Sequence, residues 1–323
     1  MRLATIGSPH ARSLQGLSSR TTLRARRRRL TCVDVVGDAF RRPWKTGEAG
    51  FRITPPMPIV HITDLDDPRI APYRNVPDPQ LLRDHGLFIA EGRLVVRTLL
   101  TGSPYRAQSV LVTPAALESV ADLVDQSTDA AFLVVTQASM NELVGFNIHR
   151  GCLAIGERPA ERPLDVLLAA KPARLVVLEN VSNADNVGGI FRCAAAFSAG
   201  GVVLGPHCCE PLYRKAIRTS IGASLVVPFA VAGPWPLALE RLCAAGYHVV
   251  ALTPAPDAIP LGDAAADLAT AAQVVVLAGA EGTGLTPEAL ASADVRVRIP
   301  IAPAVDSLNV TVAVGIALHA LQP

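Results

Sequence analysis

Apolar and polar positions divide the chain into two stretches of different rhythm. Between 58 and about 155, short apolar runs alternate with amphipathic ones. "LFIAEGRLVVRTLLTG" (87–102) predicts a short strand and then a helix with apolar positions at 94, 95, 99 and 100. "SVLVTP" (109–114) and "AFLVVT" (131–136) read as strands, with "AALESVADLVDQS" (115–127) as a helix between them. The charged, proline-bearing stretch "ERPAERPLD" (157–165) reads as a linker.

From 174 onward the strand–helix rhythm is clearer. Strands are expected at 174–179, 201–205, 225–230, 247–253, 273–279 and 295–300. Helical stretches are expected near 187–198, 211–222, 234–245, 286–293 and 307–321. These strands are nearly continuous Val and Leu instead of alternating with polar residues. Such strands are buried on both faces, which predicts an α/β fold with a mostly parallel sheet covered by helices. Ligands bind such sheets beyond the carboxyl ends of the strands, so the loops after 179, 205, 253, 279 and 300 draw attention. The expected organisation is a basic tail at 1–56, an α/β domain at 57–156, a linker at 157–173 and a larger α/β domain at 174–323.

Charge refines this division. Residues 1–56 hold 12 basic against three acidic residues, and the remainder holds 18 against 25, a net −7. Loose, charge-driven binding of nucleic acid is disfavoured for the bulk of the chain, although a local basic patch would escape such a count. Of the 30 basic residues 27 are Arg, a skew that matches the Ala-rich composition and reads as coding bias. The tail has three open readings: a basic arm for RNA phosphates, a transit-type leader, or an over-extended start with Met57 as initiator, which is favoured. Cysteines at 32, 152, 193, 208, 209 and 243 show no C-x-x-C pairing, which suggests reduced thiols in the cytosol. "HCCE" (207–210) lacks a second ligand pair, so no metal is expected. The longest apolar run, Val310 to Leu318, is too short to cross a membrane, and a soluble cytoplasmic chain is expected.

Chemistry concentrates in three loops. "ENVSNADNVGGIFRCAAAF" (179–197) follows a strand and opens a helix, with Gly188 and Gly189 permitting close backbone approach. Arg192 stands there among apolar neighbours, where burial without a partner is costly; capping of a neighbouring helix is the plainer role. "LAGAEGTGLTPEAL" (277–290) makes a glycine turn around Glu281, with Thr286 as N-cap and Pro287 at N1. It is neither a Walker loop nor the dinucleotide fingerprint. In "IPIAPAVDSLNVTVAVGIALHALQP" (299–323), the polar trio Asp306, Ser307 and Asn309 interrupts an apolar run where a helix begins. Asp and Ser there are either helix caps or the mouth of a site.

Taken in order, the three motifs resemble the SpoU/TrmH branch of the SPOUT methyltransferases. The first motif is matched by Asn186-Val-Gly-Gly-Ile-Phe-Arg192, the second by Gly279-Ala-Glu281-Gly282-Thr-Gly284-Leu285, and the third by Ile299-Pro300 through Ser307-Leu308-Asn309-Val310. "RKAIRTSIGASLVVPF" (214–229) is similar to the family's stretch between the first two. Pro303 stands where the family usually has glycine. More weakly, "LFIAEGRLVVRTLL" and "HRGCLAIG" (149–156) resemble the ribosomal-protein-L30-like RNA-binding domain that precedes the catalytic domain in many members.

The resemblance implies a trefoil-knotted, Rossmann-like catalytic domain that binds S-adenosyl-L-methionine. It implies cofactor contacts from Gly279, Gly282, Ile299 and Leu308, and a catalytic neighbourhood of Asn186, Arg192, Glu281, Ser307 and Asn309. It further implies methyl transfer to a ribose 2′-hydroxyl of rRNA or tRNA by a homodimer, in which Arg192 often reaches from the partner. The family reading makes Arg192 the base. Because guanidinium stays protonated, a clamp on phosphate and developing alkoxide is the expected role. Two rivals remain: a non-catalytic RNA-binding or ribosome-assembly factor on the same fold, and an oxidoreductase, which would need a glycine fingerprint after the first strand.

Overall fold

The computed structural model describes residues 59–322, apart from 76, 125–129, 146 and 149–150. The basic stretch 1–56, Met57 and the first two residues of "HRGCLAIG" lie outside the described residues.

The first half holds strands β1 (Ile59–His61), β2 (Leu87–Glu91), β3 (Ala107–Val112), β4 (Ala131–Val134) and β5 (Cys152–Glu157). They form one sheet in the order β1-β4-β3-β5-β2. β5 runs antiparallel to both β2 and β3, while β1, β4 and β3 pair in parallel. Its helices are α1 (Asp78–His85), α2 (Arg93–Thr101), α3 (Pro114–Glu118), α4 (Ala121–Val124) and α5 (Gln137–Val144). Period-two alternation sends Phe88, Ala90, Val110, Val112, Phe132 and Val134 to one core. Ile89, Leu111, Leu133, Leu153 and Ile155 go to the opposite face, with Tyr73 and Met140.

Two readings of this half change. The expected helix over 115–127 is, among the described residues, two short pieces, α3 and α4, separated by a turn at 119–120, and its positions 125–127 lie outside the described residues. In α2 the buried face is Val95, Val96, Thr98 and Leu99. Leu94, expected inside, is 63% exposed.

The segment between the halves carries α6 (Leu164–Ala169), whose Leu164 and Leu167 enter the core of the second half. That half contains β6 (Arg174–Glu179), β7 (Val202–Leu204), β8 (Phe229–Val231), β9 (His248–Leu252), β10 (Ile259–Pro260), β11 (Val274–Gly279) and β12 (Val295–Arg298). The order is β10-β12-β9-β11-β6-β7-β8, and every pairing is parallel. The remaining helices are α7 (Ala184–Ala196), α8 (Arg214–Thr219), α9 (Leu237–Ala244), α10 (Leu261–Thr270), α11 (Pro287–Ala291) and α12 (Val310–Ala320). α7, α10 and α12 cover one face, on which Val176, Leu178, Val274 and Val276 point. α6, α9 and α11 cover the other, with Leu175, Val177, Val275 and Leu277. Both faces being dry explains the unbroken Val/Leu runs.

The strand expected at 225–230 begins only at Phe229, because a 3₁₀ turn at Ala223–Leu225 precedes it. Gly222 enters that turn at φ +81°, a left-handed conformation suited to glycine. The chain's end is fastened to its sheet by Arg174. This buried guanidinium donates to the carbonyls of Leu321 (2.5 Å), Ala173 (2.8 Å), Ala271 (3.0 Å) and Ala269 (3.0 Å). It thereby satisfies the open C-terminal ends of α10 and α12 together.

α8 joins the two halves. The Arg214 Nε donates to Glu91 Oε2 at 2.9 Å, and its backbone N–H donates to Asp78 Oδ2 at 2.8 Å. Leu212, Ile217 and Leu225 complete the core around Phe88 and Phe132.

Candidate active site

The carboxyl ends of β6 and β11 and the start of α12 meet at one place. α7 starts from Asn183, whose side chain accepts from the Asp185 N–H at 2.8 Å. Asn186 sits in the first turn, 7% exposed. The two following glycines are needed for packing. A Cβ on Gly188 would stand 2.5 Å from the Ala216 carbonyl, and one on Gly189 would stand 2.6 Å from the Thr311 methyl. α7 can therefore lie close against α8 on one side and α12 on the other.

Asn309 is the N-cap of α12, a position the sequence had suggested for Asp306 or Ser307. Its Oδ1 accepts from the N–H groups of Thr311 (2.9 Å) and Val312 (3.4 Å). Capping fixes which way the amide points, leaving Nδ2 to donate to Asn186 Oδ1 at 2.9 Å and to Glu281 Oε1 at 2.5 Å. Thr311 Oγ1 adds a bond to the Asn186 carbonyl at 3.1 Å. One residue from each motif is thus held by a single carboxamide.

Glu281 rides on the glycine turn. Gly282 and Gly284 have φ of +87° and +69°, which non-glycine side chains adopt only under strain. The Gly284 N–H closes the turn onto the Ala280 carbonyl at 3.0 Å. A Cβ on Gly279 would lie 2.4 Å from the Gly284 backbone. Thr286 caps α11 by accepting from the Ala289 N–H, with Pro287 at N1, as the sequence indicates.

Below this turn lies a residue that the motif reading passed over. Glu179 is completely buried at the end of β6. It accepts from the Thr286 N–H (2.8 Å), the Thr286 hydroxyl (2.8 Å) and the Trp235 indole N–H (2.6 Å). A buried carboxylate requires such donors. The sequence signal was a lone acid closing an apolar strand.

The third loop is open. Between 299 and 308, among the described residues, the backbone closes one hydrogen bond of its own, Val305 N–H to Ala302 carbonyl at 3.0 Å. That bond is a β-turn with Pro303 at its second position, where proline's fixed φ is favoured. This accommodates the replacement of the family glycine. Ile299 packs half-buried on the core, and Leu308 is half-buried beside Asn309.

Two expected residues stand apart from the cluster. Ser307 is exposed and makes no side-chain hydrogen bond among the described residues. Arg192 is exposed, so the cost of burying it does not arise. It is six residues beyond Asn186 on α7 and therefore points about a third of a turn away from it. It flanks the face on which Cys193 meets Gly315 of α12. Among the described residues no three His, Cys, Asp or Glu side chains gather as metal ligands, and no helix is long and apolar enough to cross a membrane.

Comparison with known proteins places this geometry. The family model described as the SpoU rRNA Methylase family matches residues 173–319. A protein of Mycobacterium tuberculosis H37Rv bearing the name uncharacterized tRNA/rRNA methyltransferase is 37% identical over 273 residues, covering 81% of this chain and 91% of its own. The crystal structure of an rRNA methyltransferase from Sinorhizobium meliloti shares 25% identity with a TM-score of 0.68, covering 81% of this chain and 97% of that one. The fold is also that of the SpoU methyltransferase AviRb from Streptomyces viridochromogenes, solved in complex with AdoMet (21% identity, TM-score 0.66, 79% and 97% covered). The chain belongs to the SpoU rRNA methylase family.

Proposed function

We propose that this chain transfers a methyl group from S-adenosyl-L-methionine to a ribose 2′-hydroxyl of a structured RNA, rRNA or tRNA, in the cytoplasm. The observation that carries the reading is the junction of Asn186, Glu281 and Asn309 through one carboxamide, beside a glycine turn and an open loop.

The residues fit the cofactor. Ile299 and Leu308 offer half-buried apolar surface for an adenine, next to loop backbone whose N–H and C=O groups are not consumed by the fold. Gly279 lets the turn close on the Gly284 backbone, and Gly282 adds no side chain at its outer rim, which suits a turn whose backbone approaches the ligand. When bound, the sulfonium supplies an electrophilic methyl. The chain's own residues must orient the 2′-oxygen and favour its negative charge. Asn309 donates to both Glu281 and Asn186, which holds the amide at the helix mouth, and Ser307 stands exposed two residues before Asn309 to reach the substrate.

Arg192 clamps the neighbouring phosphate and steadies the developing alkoxide. Its exposure on α7 supports delivery to the site of a second copy. Val312 and Ile316, one helical turn apart on α12, are 48% and 39% exposed, an apolar stripe suited to a homodimer. In this reading the region around 299–309 passes through the chain as a trefoil knot, residues 57–156 form an L30-like RNA-binding domain, and 174–323 form the catalytic domain.

The test is transfer of tritium from labelled cofactor to fractionated total RNA, followed by mapping of the labelled ribose. Label on a base instead of a ribose would overturn the 2′-O assignment. Absence of cofactor binding in calorimetry would favour a non-catalytic RNA-binding role.

A further inference from the structure

A second recess opens on the same carboxyl edge of the sheet, beyond β7 and β8. It is a cleft of about 630 Å³ formed where α1 of the first half faces the second half. Leu204 floors it, Trp235 and Tyr213 supply aromatic surface, and Arg83, Arg158 and Glu210 supply charge. We propose that this cleft receives one unstacked base of the substrate RNA and so sets which nucleotide is presented to the reaction; this rests on the methyl-transfer reading above.

Four observations favour a base as the occupant. The volume lies within the range of small-molecule sites and admits a nucleotide. Indole and phenol rings stack on any base, and a planar guanidinium stacks as well. Among the described residues Arg83 bonds only through its Nε, to the Pro79 carbonyl (3.2 Å), which leaves the far end of its fork for the ligand. Glu210 is clamped by Arg158 at 2.9 Å. Its other oxygen, Oε1, is buried in the wall and has no hydrogen-bond partner among the described residues. A carboxylate in the wall repels a bare phosphate and accepts N–H donors, which the edges of bases carry.

Position agrees with chemistry. β7 lies directly beside β6, whose end carries Glu179. That carboxylate holds Trp235 in the cleft wall and Thr286 at the base of the glycine turn with the same oxygen, at 2.6 and 2.8 Å. The cleft and the candidate active site are therefore braced on one buried group. The net −7 of residues 57–323 agrees with RNA being held by defined pockets rather than by diffuse charge.

Gly233 provides the test. It lines the cleft, and a Cβ there meets nothing within 4 Å. Gly233→Leu therefore adds apolar bulk at the cleft without a clash at its Cβ. With the full chain, methyl transfer to total RNA should lose tenfold or more in kcat/KM, mainly through KM, while cofactor affinity by calorimetry stays within twofold. In a Trp44→Phe background Trp235 is the sole tryptophan. Its fluorescence should be quenched saturably by at least one of AMP, GMP, CMP and UMP, and Gly233→Leu should abolish that quenching. Wild-type-like methylation by Gly233→Leu, or no saturable quenching by any of the four, overturns the proposal. If the unmutated chain neither binds cofactor nor labels RNA, the methyl-transfer reading itself has failed. If it does both and Gly233→Leu matches it, the base pocket alone has failed.

Discussion

Asn309 donates to Asn186 at 2.9 Å across 123 positions of sequence, tying the first turn of α7 to the mouth of α12. The same amide caps α12 with its oxygen and reaches Glu281 with its nitrogen. Capping and positioning can therefore be separated by mutation. Asn309→Asp keeps the capping acceptor and loses the donor. Its stability should stay within about 1 kcal/mol of the parent, while methyl transfer falls on the order of 10- to 100-fold, as loss of a charge-assisted bond implies. Asn309→Ala removes both and should also lose about 1 kcal/mol in urea unfolding. Asn309→Asp at parental activity would reduce this residue to a cap.

Gly279 tests the second motif. Its Cβ would fall 2.4 Å from the Gly284 backbone, so Gly279→Ala must pry the turn apart at a cost of about 1–3 kcal/mol. Cofactor affinity in calorimetry should drop with it. Gly262, early in α10, is the control, since a Cβ there meets nothing within 4 Å. Gly262→Ala should leave affinity unchanged and stabilise the chain by up to about 1 kcal/mol.

The parallel sheet was legible because β6, β9 and β11 are buried on both faces, which forces unbroken apolar runs. Elements with mixed or short patterns were not. α2 turned its face by one position: Val95, Val96 and Leu99 enter the core and Leu94 is left in solvent. The "LVV" of 225–227 looks like a strand, but tertiary packing of Leu225 on the first half bends it into a 3₁₀ turn. Motif spacing located Asn186, Glu281 and Asn309, yet could not show that one amide joins them. Glu179 escaped notice because its donors, Thr286 and Trp235, are 107 and 56 residues away.

Glu179→Gln probes that brace. The substitution removes the charge and turns an amide N–H₂ toward groups that themselves donate. Loss of hydrogen bonds to a buried charged acceptor costs about 2–3 kcal/mol, to be measured as a lower urea midpoint. Both Trp235 fluorescence and cofactor affinity should change in the folded variant. A change in stability with neither reporter affected would make Glu179 a purely local support.

Glu210 gives a pH signature at the junction of the two halves. Burial pushes its carboxyl above the ordinary value of 4.5, with Arg158 pulling the opposite way. A raised pKa means that the folded chain binds the proton more tightly than the unfolded one. Its contribution therefore favours folding below about pH 4.5 and is lost as pH rises through the folded value. Glu210→Gln holds the neutral form at every pH. The Tm of Glu210→Gln minus that of the parent should rise between about pH 4 and about pH 7. Asp78, pushed up by burial at the same junction, predicts the same sign for Asp78→Asn. A difference that falls with pH in Glu210→Gln would mean that the ion pair with Arg158 outweighs desolvation.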